Sequence, residues 1–307
     1  MRSVIAVLAA VDVISAIYLV NWGPFPLVVK ELGAPTAYLN IYVHVPAGIV
    51  MYIMATAALA SALWGVKRPS PRVIQLMDVS AYITAALAWY AFVSGTLWAA
   101  ESWGTPLALD PRQMSILAVA LVFSLYPAIR RGVEDPDRSV KLAQSYLIAG
   151  YVLVVISLVA PVVAKSLHPQ PGATLTGTLR LYMMARTILV AAFFFTLLLA
   201  AGGRKVVWIY MTGAVVALAM LYPWLLGPVR VVDVTATSIV LEDGRALPIS
   251  PSQVLTPAEV EGYPTLPKNF VLVRDGEVEL VRHYSAYINA ALYFLTAAAV
   301  LRAVGKR

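Results

Sequence analysis

His44-Val-Pro-Ala-Gly-Ile-Val-Met-Tyr-Ile-Met-Ala-Thr-Ala-Ala-Leu-Ala-Ser-Ala-Leu-Trp-Gly65 contains no Asp, Glu, Lys or Arg. A bilayer core takes about 20 helical residues, so an apolar, uncharged run of this length reads as a membrane span. Its first residue is a histidine, one of three in a chain of 307 residues. A second, His168, stands at the mouth of another apolar run. Two imidazoles at helix ends on one side of a membrane can hold a flat metallo-cofactor between them.

Working outward, runs of the same kind place helices at about 4–21, 44–65, 77–98, 113–129, 143–164, 181–201, 206–226 and 285–303. Charged residues make up 13% of the chain, about half of the roughly 25% usual in soluble domains. The mean hydropathy is +0.78. The fold class is therefore an all-α polytopic membrane protein of about eight transmembrane helices. The first run follows Met1-Arg2 and is read as a retained helix rather than a signal peptide, since no convincing small-residue cleavage site precedes Tyr18.

The net charge of +7 is explained by topology rather than by nucleic acid. With the N-terminus in the cytoplasm, inner loops and ends hold 13 Lys and Arg residues, against 5 in the short outer loops and outer helix ends. That bias puts both termini inside. His44, the 99–112 loop and His168 then face the extracytoplasmic side. Cysteine is absent, which excludes disulfides, thiolate ligands and a redox CxxC.

Residues 228–283 differ in composition. They carry charges of both signs and strand-like runs such as Val231-Val-Asp-Val-Thr-Ala-Thr-Ser-Ile-Val-Leu241. Glu242-Asp-Gly-Arg245 and Arg274-Asp-Gly-Glu277 read as turns, because Asp-Gly favours tight hairpins. The expected division is a six-helix membrane core over 1–205, a seventh helix over 206–227, an extracytoplasmic β-rich module over 228–283, and an eighth helix with a cytoplasmic tail over 284–307.

Four groups of residues carry candidate chemistry. His44 and His168 come first: neutral imidazole is the commonest protein metal ligand and an axial ligand of haem iron. The alternative for each is a histidine hydrogen-bonded at the membrane interface. The second group runs from Gly95 through Trp98, Trp103, Gly104, Thr105, Asp110 and Arg112 to Ser115. Tryptophan offers a flat surface suited to a macrocycle. Arg112 suits a propionate, and Asp110 suits a helix N-cap. The plain alternative is an interfacial aromatic belt with a capped helix. Third, Arg186, with Arg180 nearby, lies at the edge of the hydrocarbon, where a cation needs a partner. A propionate or the lipid headgroups would serve. Asp12, inside the first helix, calls for a buried Tyr or Arg partner. Fourth, His283 and Tyr287 stand four apart and share a helix face, so both point at one ligand or form an interfacial cluster.

These residues resemble the cytochrome c maturation protein C family (CcmC, or haem exporter protein C). The likeness rests on His-Val-Pro-Ala at 44–47, Trp-Gly-Thr at 103–105 with Asp110, Arg112 and Ser115, and His168 before the sixth helix, and spans roughly residues 36–201. The resemblance implies a six-helix core with an external haem site and non-covalent haem b. His44 and His168 would be the axial ligands, and Trp98, Trp103, Gly104, Thr105 and Asp110 would cradle the haem edge. It further implies haem transport in cytochrome c biogenesis. Haem would pass to a periplasmic haem chaperone of the CcmE type, with ATP-binding-cassette transporter subunits assisting release, so this is a carrier rather than an enzyme. Where the family continues Trp-Trp-x-Trp-Asp, this chain has Pro106-Leu-Ala-Leu-Asp110, so three tryptophans are missing. Asp110-Pro-Arg112 also resembles the CcsA-type cytochrome c synthetases. His283-x-x-x-Tyr287 after a β-rich stretch is similar to the haem-carrying end of the chaperone family. A bis-histidine cytochrome b-like electron carrier is the alternative from a different class. It would want a second haem on the inner side, where the membrane part has no histidine. A transporter is the third, and it would want paired Gly/Pro-interrupted helices at mid-membrane.

Overall fold

The structure, a computed structural model, describes residues 2–24, 35–164, 166–168, 177–200, 204–234, 237–248, 270–274 and 277–304. Among them, eight helical segments are long and apolar enough to cross a membrane. They are α1 (Arg2–Trp22), a 3-10 segment (Pro35–Tyr42) leading into α2 (His44–Lys67), α3 (Pro71–Trp103), α4 (Pro111–Gly132), α5 (Pro136–Val163), α6 (Gly177–Ala200), α7 (Val207–Ala219) with the short α8 (Tyr222–Leu225), and α9 (Tyr284–Val304). The expected polytopic fold is what the chain adopts.

Three of these helices start the same way. Ser70, Asp110 and Asp135 each sit just before a proline, and each side chain accepts a hydrogen bond from the first-turn amides of α3, α4 and α5 respectively. Proline at the first helical position has no N–H to leave unsatisfied, while the cap satisfies a following one. α3 is the exception in length. It was expected over 77–98 but runs 33 residues, about 50 Å at 1.5 Å per residue, against a hydrocarbon core of about 30 Å. Its last turns carry buried Ser94, Glu101 and Ser102, so that end packs against protein instead of lipid. It stops at Gly104, whose φ of 74° is the left-handed conformation that glycine adopts without steric cost.

α3 packs against α2, α4 and α9, while α2 also meets α5 and α6, and α7 packs on α9. One fully buried lock ties four helices together. Asp12 of α1 pairs with Arg186 of α6 at 2.5 Å, and its other oxygen accepts from Tyr210 of α7 and Tyr293 of α9, both at 2.7 Å. Arg186 also donates to Ser15 and to the Tyr42 carbonyl. The Asp12 carboxylate in an apolar run thus has the arginine and tyrosine partners that its cost demands.

Between α8 and α9 lies a small antiparallel sheet of β1 (Val229–Val234), β2 (Ser238–Leu241), β3 (Ala246–Pro248), β4 (Phe270–Arg274) and β5 (Glu277–Val281). The strand order is β3-β2-β1-β4-β5, and Val231, Ile239, Leu241 and Val271 form its core. The expected turn at 242–245 joins β2 to β3, with Gly244 at φ 85°. Arg274 pairs with Glu277 across the second turn, whose Asp275 and Gly276 lie outside the described residues. The sheet is fixed to the bundle at its base. Trp224 donates to the Arg282 carbonyl at 3.0 Å and packs on Phe270 and Tyr284. His283 lies 2.7 Å from Glu101 at the end of α3.

Candidate functional site

The N-terminal end of α2, the C-terminal end of α3, the N-terminal end of α4 and the loop after α5 meet at one end of the bundle. His44 opens α2, and α3 runs beside it, so Ser94 and Trp98, one turn apart on one face of α3, both address its imidazole. His44 Nδ1 is 2.6 Å from Ser94 Oγ. Gly95 lies against the ring: a Cβ there would stand 3.4 Å from His44 Cε1, in ordinary van der Waals contact.

His168 reaches the same place from the opposite wall. Its loop is pinned by Asp110, which does more than cap α4. Asp110 Oδ1 accepts from the Arg112 amide at 2.9 Å. Its Oδ2 accepts from Ser166 Oγ at 2.8 Å and from the Leu167 amide at 2.7 Å. Ser166 Oγ in turn accepts from the His168 amide at 3.1 Å. One carboxylate therefore holds both the start of α4 and the segment carrying His168. Burial works against the charged form of Asp110, but these hydrogen bonds outweigh it and hold the pKa below the usual carboxylate range. At His168, burial and then the positive charge of Arg112 lower the pKa to about 4, with Asp110 opposing. That imidazole is neutral at ordinary pH, the form that ligates a metal.

The two imidazoles converge. Their ring centroids are 6.5 Å apart. Two imidazoles sharing one metal through bonds of about 2 Å each have centroids separated by about 6 Å. Trp98 completes a triangle, 5.8 Å from His44 and 6.1 Å from His168. The median of a triangle with these sides puts the Trp98 centroid about 5 Å from the midpoint of the histidine pair. Trp98 is buried, and its Nε1 has no hydrogen-bond partner among the described residues. A flat ligand slipped between the histidines would meet this indole edge-on, so Trp98 must turn for such a disc to enter.

The remaining expected site residues are distributed as follows. Arg112 is half-buried beside His168 and close enough to bias its charge. Gly104 ends α3, and Thr105 is exposed. The Trp103 side chain lies outside the described residues. Gln113 donates to the Pro106 carbonyl at 2.6 Å and to Thr96 at 3.1 Å, folding the loop back onto α3. Ser115 turns inward to its own helix, donating to the Arg112 carbonyl. The Arg186 guanidinium is committed to Asp12, Ser15 and the Tyr42 carbonyl, because a buried cation takes the nearest carboxylate. His283 and Tyr287 do not converge on one point: His283 turns to Glu101 of α3, whereas Tyr287 donates to Asn21 of α1 at 3.3 Å. Ser94, Ser166 and Glu101 were assigned no role from sequence. A polar residue within an apolar helix was the available signal for Ser94 and Glu101, while Ser166 carries no such mark.

No family model matches the chain. Two curated relatives do. Heme exporter protein C of Paracoccus denitrificans is 28% identical over 118 residues, covering 38% of this chain and 48% of the relative. Heme exporter protein C of Bradyrhizobium diazoefficiens is 31% identical over 118 residues, covering 36% of this chain and 42% of the relative. The chain thus spans less than half the length of the curated relatives it matches. The chain is thus similar to haem exporter protein C over part of its length, as its histidine and tryptophan motifs are.

Proposed function

We propose that this chain is a haem-handling membrane protein of cytochrome c maturation. It holds haem b non-covalently at the extracytoplasmic end of its helix bundle and releases it to a haem chaperone of the CcmE type, working beside ATP-binding-cassette subunits. Haem is cargo here: the chain binds, orients and yields it, and makes no covalent bond. The observation that carries the reading is the approach of His44 and His168, from separate spans, to a centroid distance of 6.5 Å, the span that two imidazoles on one iron require.

The roles follow from the surroundings. His44, backed by Ser94, and His168, backed by the Asp110 loop, are the axial pair. Partners that fix ring orientation in this way tune metal affinity by about 10- to 100-fold. Arg112 is the propionate partner, since it lies beside His168 with its charge undirected to any carboxylate in the described contacts. Trp98 supplies apolar cover once turned. The basic-residue bias puts this end outside and both termini in the cytoplasm.

The test is the absorption spectrum of the purified, haem-reconstituted protein. Wild type is expected to show a six-coordinate low-spin Soret band, and His44→Ala and His168→Ala each to lose that coordination. A wild type that stays colourless with ample haem, or a band indifferent to both substitutions, refutes the reading.

A further inference from the structure

A buried polar chain runs behind His44 and involves the last helix, far beyond the stretch that carries the family resemblance. Ser94 Oγ donates to the Ala91 carbonyl at 3.4 Å and stands 2.6 Å from His44 Nδ1. A hydroxyl has one proton. With that proton on the helix carbonyl, Ser94 Oγ presents a lone pair to His44, an arrangement that favours hydrogen on Nδ1. Asn289 of α9 then grips the same turn: its Nδ2 lies 3.5 Å from the Ser94 carbonyl and donates to Asn40 Oδ1 at 2.8 Å. Asn40, four residues before His44 at the start of α2, donates to Ser285 Oγ at 2.9 Å. Ser285 donates its amide to His283 Nδ1 at 3.2 Å. Asn40, Ser94, Asn289 and Ser285 are all buried, with relative exposures of 0 to 1%. Buried amides in an apolar bundle are costly unless they are paired with one another. This pairing joins the segment before α2, the C-terminal part of α3 and the start of α9 around a single imidazole.

We infer that Ser94 is the positioning residue of His44: it fixes the proton on Nδ1 and so leaves Nε2 as the ligating nitrogen, while Asn289 and Asn40 hold Ser94 and the start of α2 in register. Ser94 and Asn289 need not touch the cargo; they set which nitrogen is presented and at what angle. The consequence for haem rests on the function proposed above, but the tautomer itself does not. A ligand imidazole that donates from Nδ1 is a stronger electron donor to its metal and is held in one orientation.

The experiment reads the tautomer in haem-free protein. The chain has three histidines, so side-chain ¹⁵N resonances can be assigned by single substitutions. Wild-type His44 is expected to show Nδ1 protonated and Nε2 bare. Ser94→Ala should shift it toward the opposite tautomer or a mixture, Ser94→Thr should restore the wild-type pattern, and Asn289→Ala should broaden it. Wild-type His44 protonated on Nε2, or a Ser94→Ala spectrum identical to wild type, overturns the inference whatever the haem spectra show. In haem-loaded protein Ser94→Ala should keep the low-spin Soret band, raise the midpoint potential, and bind haem roughly 10- to 100-fold more weakly, as loss of an outer-shell partner does elsewhere. An unchanged potential and affinity also overturn it. Loss of haem binding in wild type would instead strike the proposed function and leave the tautomer result standing.

Discussion

Asp110→Ala is the sharpest test of how the site is built, because one carboxylate joins two elements. The substitution removes three hydrogen bonds: from the Arg112 amide at 2.9 Å, from Ser166 Oγ at 2.8 Å and from the Leu167 amide at 2.7 Å. The first is a helix N-cap, whose loss costs about 1 kcal/mol. The other two are bonds to an ionised acceptor, each contributing about 1.5–3 kcal/mol when buried. The site lies at the end of the bundle, so the lower figure applies, for a total of about 4 kcal/mol. The α4 cap belongs to helix stability alone. The two loop bonds, about 3 kcal/mol, hold His168 in place, and each 1.4 kcal/mol is a factor of ten. Haem affinity should therefore fall roughly 100-fold, with the ligand loss confined to the His168 side. Asp110→Asn keeps an oxygen for the Arg112 amide but turns an NH₂ toward the Leu167 amide, so it should fall close to the alanine variant. The assay is haem titration followed by the Soret band, with circular dichroism to confirm that the helices persist. An Asp110→Ala protein that is folded, binds haem as wild type does and keeps a low-spin band would show that this carboxylate does not position His168.

Trp98→Ala should speed haem association, because the indole no longer lies abreast of the histidine pair. It should also speed dissociation, as an aromatic face worth about 0.5–1.5 kcal/mol beyond its buried area is lost; stopped-flow spectra that show slower association would contradict the geometry. Arg186→Leu leaves Asp12 charged and without its cation in a fully buried setting, which should destabilise the bundle by about 3–5 kcal/mol. Thermal unfolding in detergent measures this, and Asp12→Asn should cost a comparable amount, because it strands the Arg186 cation in the same buried setting. His168, held to about 4 by burial and Arg112, should remain neutral at pH 5, where an unshifted imidazole near 6.5 is mostly protonated. Between those values the unfolded chain binds the proton and the folded chain does not, so the haem-free protein should lose stability as pH falls through that window. An ¹⁵N titration giving His168 an ordinary pKa would contradict the burial argument.

What was legible in the sequence follows from where the physics is local. The spans could be read because hydropathy over about 20 residues is a property of each segment alone. Asp110-Pro111 marked a capped helix start for the same reason. His44 and His168 stood out because imidazole is scarce here and both occupy helix mouths. The pairings were not legible. Arg186 meets Asp12 across 174 positions in the chain, and Asn289 meets Asn40 across 249. Apolar helices that face lipid on one side and each other on the other carry little directional pattern, so Asp12 called for a Tyr or Arg partner without showing which one. Arg186 accordingly read as a cation seeking a propionate or the lipid headgroups, when the Asp12 carboxylate satisfies it. The length of α3 was hidden likewise: hydropathy falls off after Trp98, yet the helix continues to Trp103, where Glu101 meets His283.

That extra turn and a half of α3 ties the site to the sheet. Trp98 and Glu101 are three residues apart and share a helix face. One lies beside the histidine pair and the other is paired with the residue that precedes α9. α9 returns the connection through Asn289 to Ser94. The histidine pocket is thus enclosed by a loop of contacts running from α3 to the base of the sheet, into α9, and back to α3.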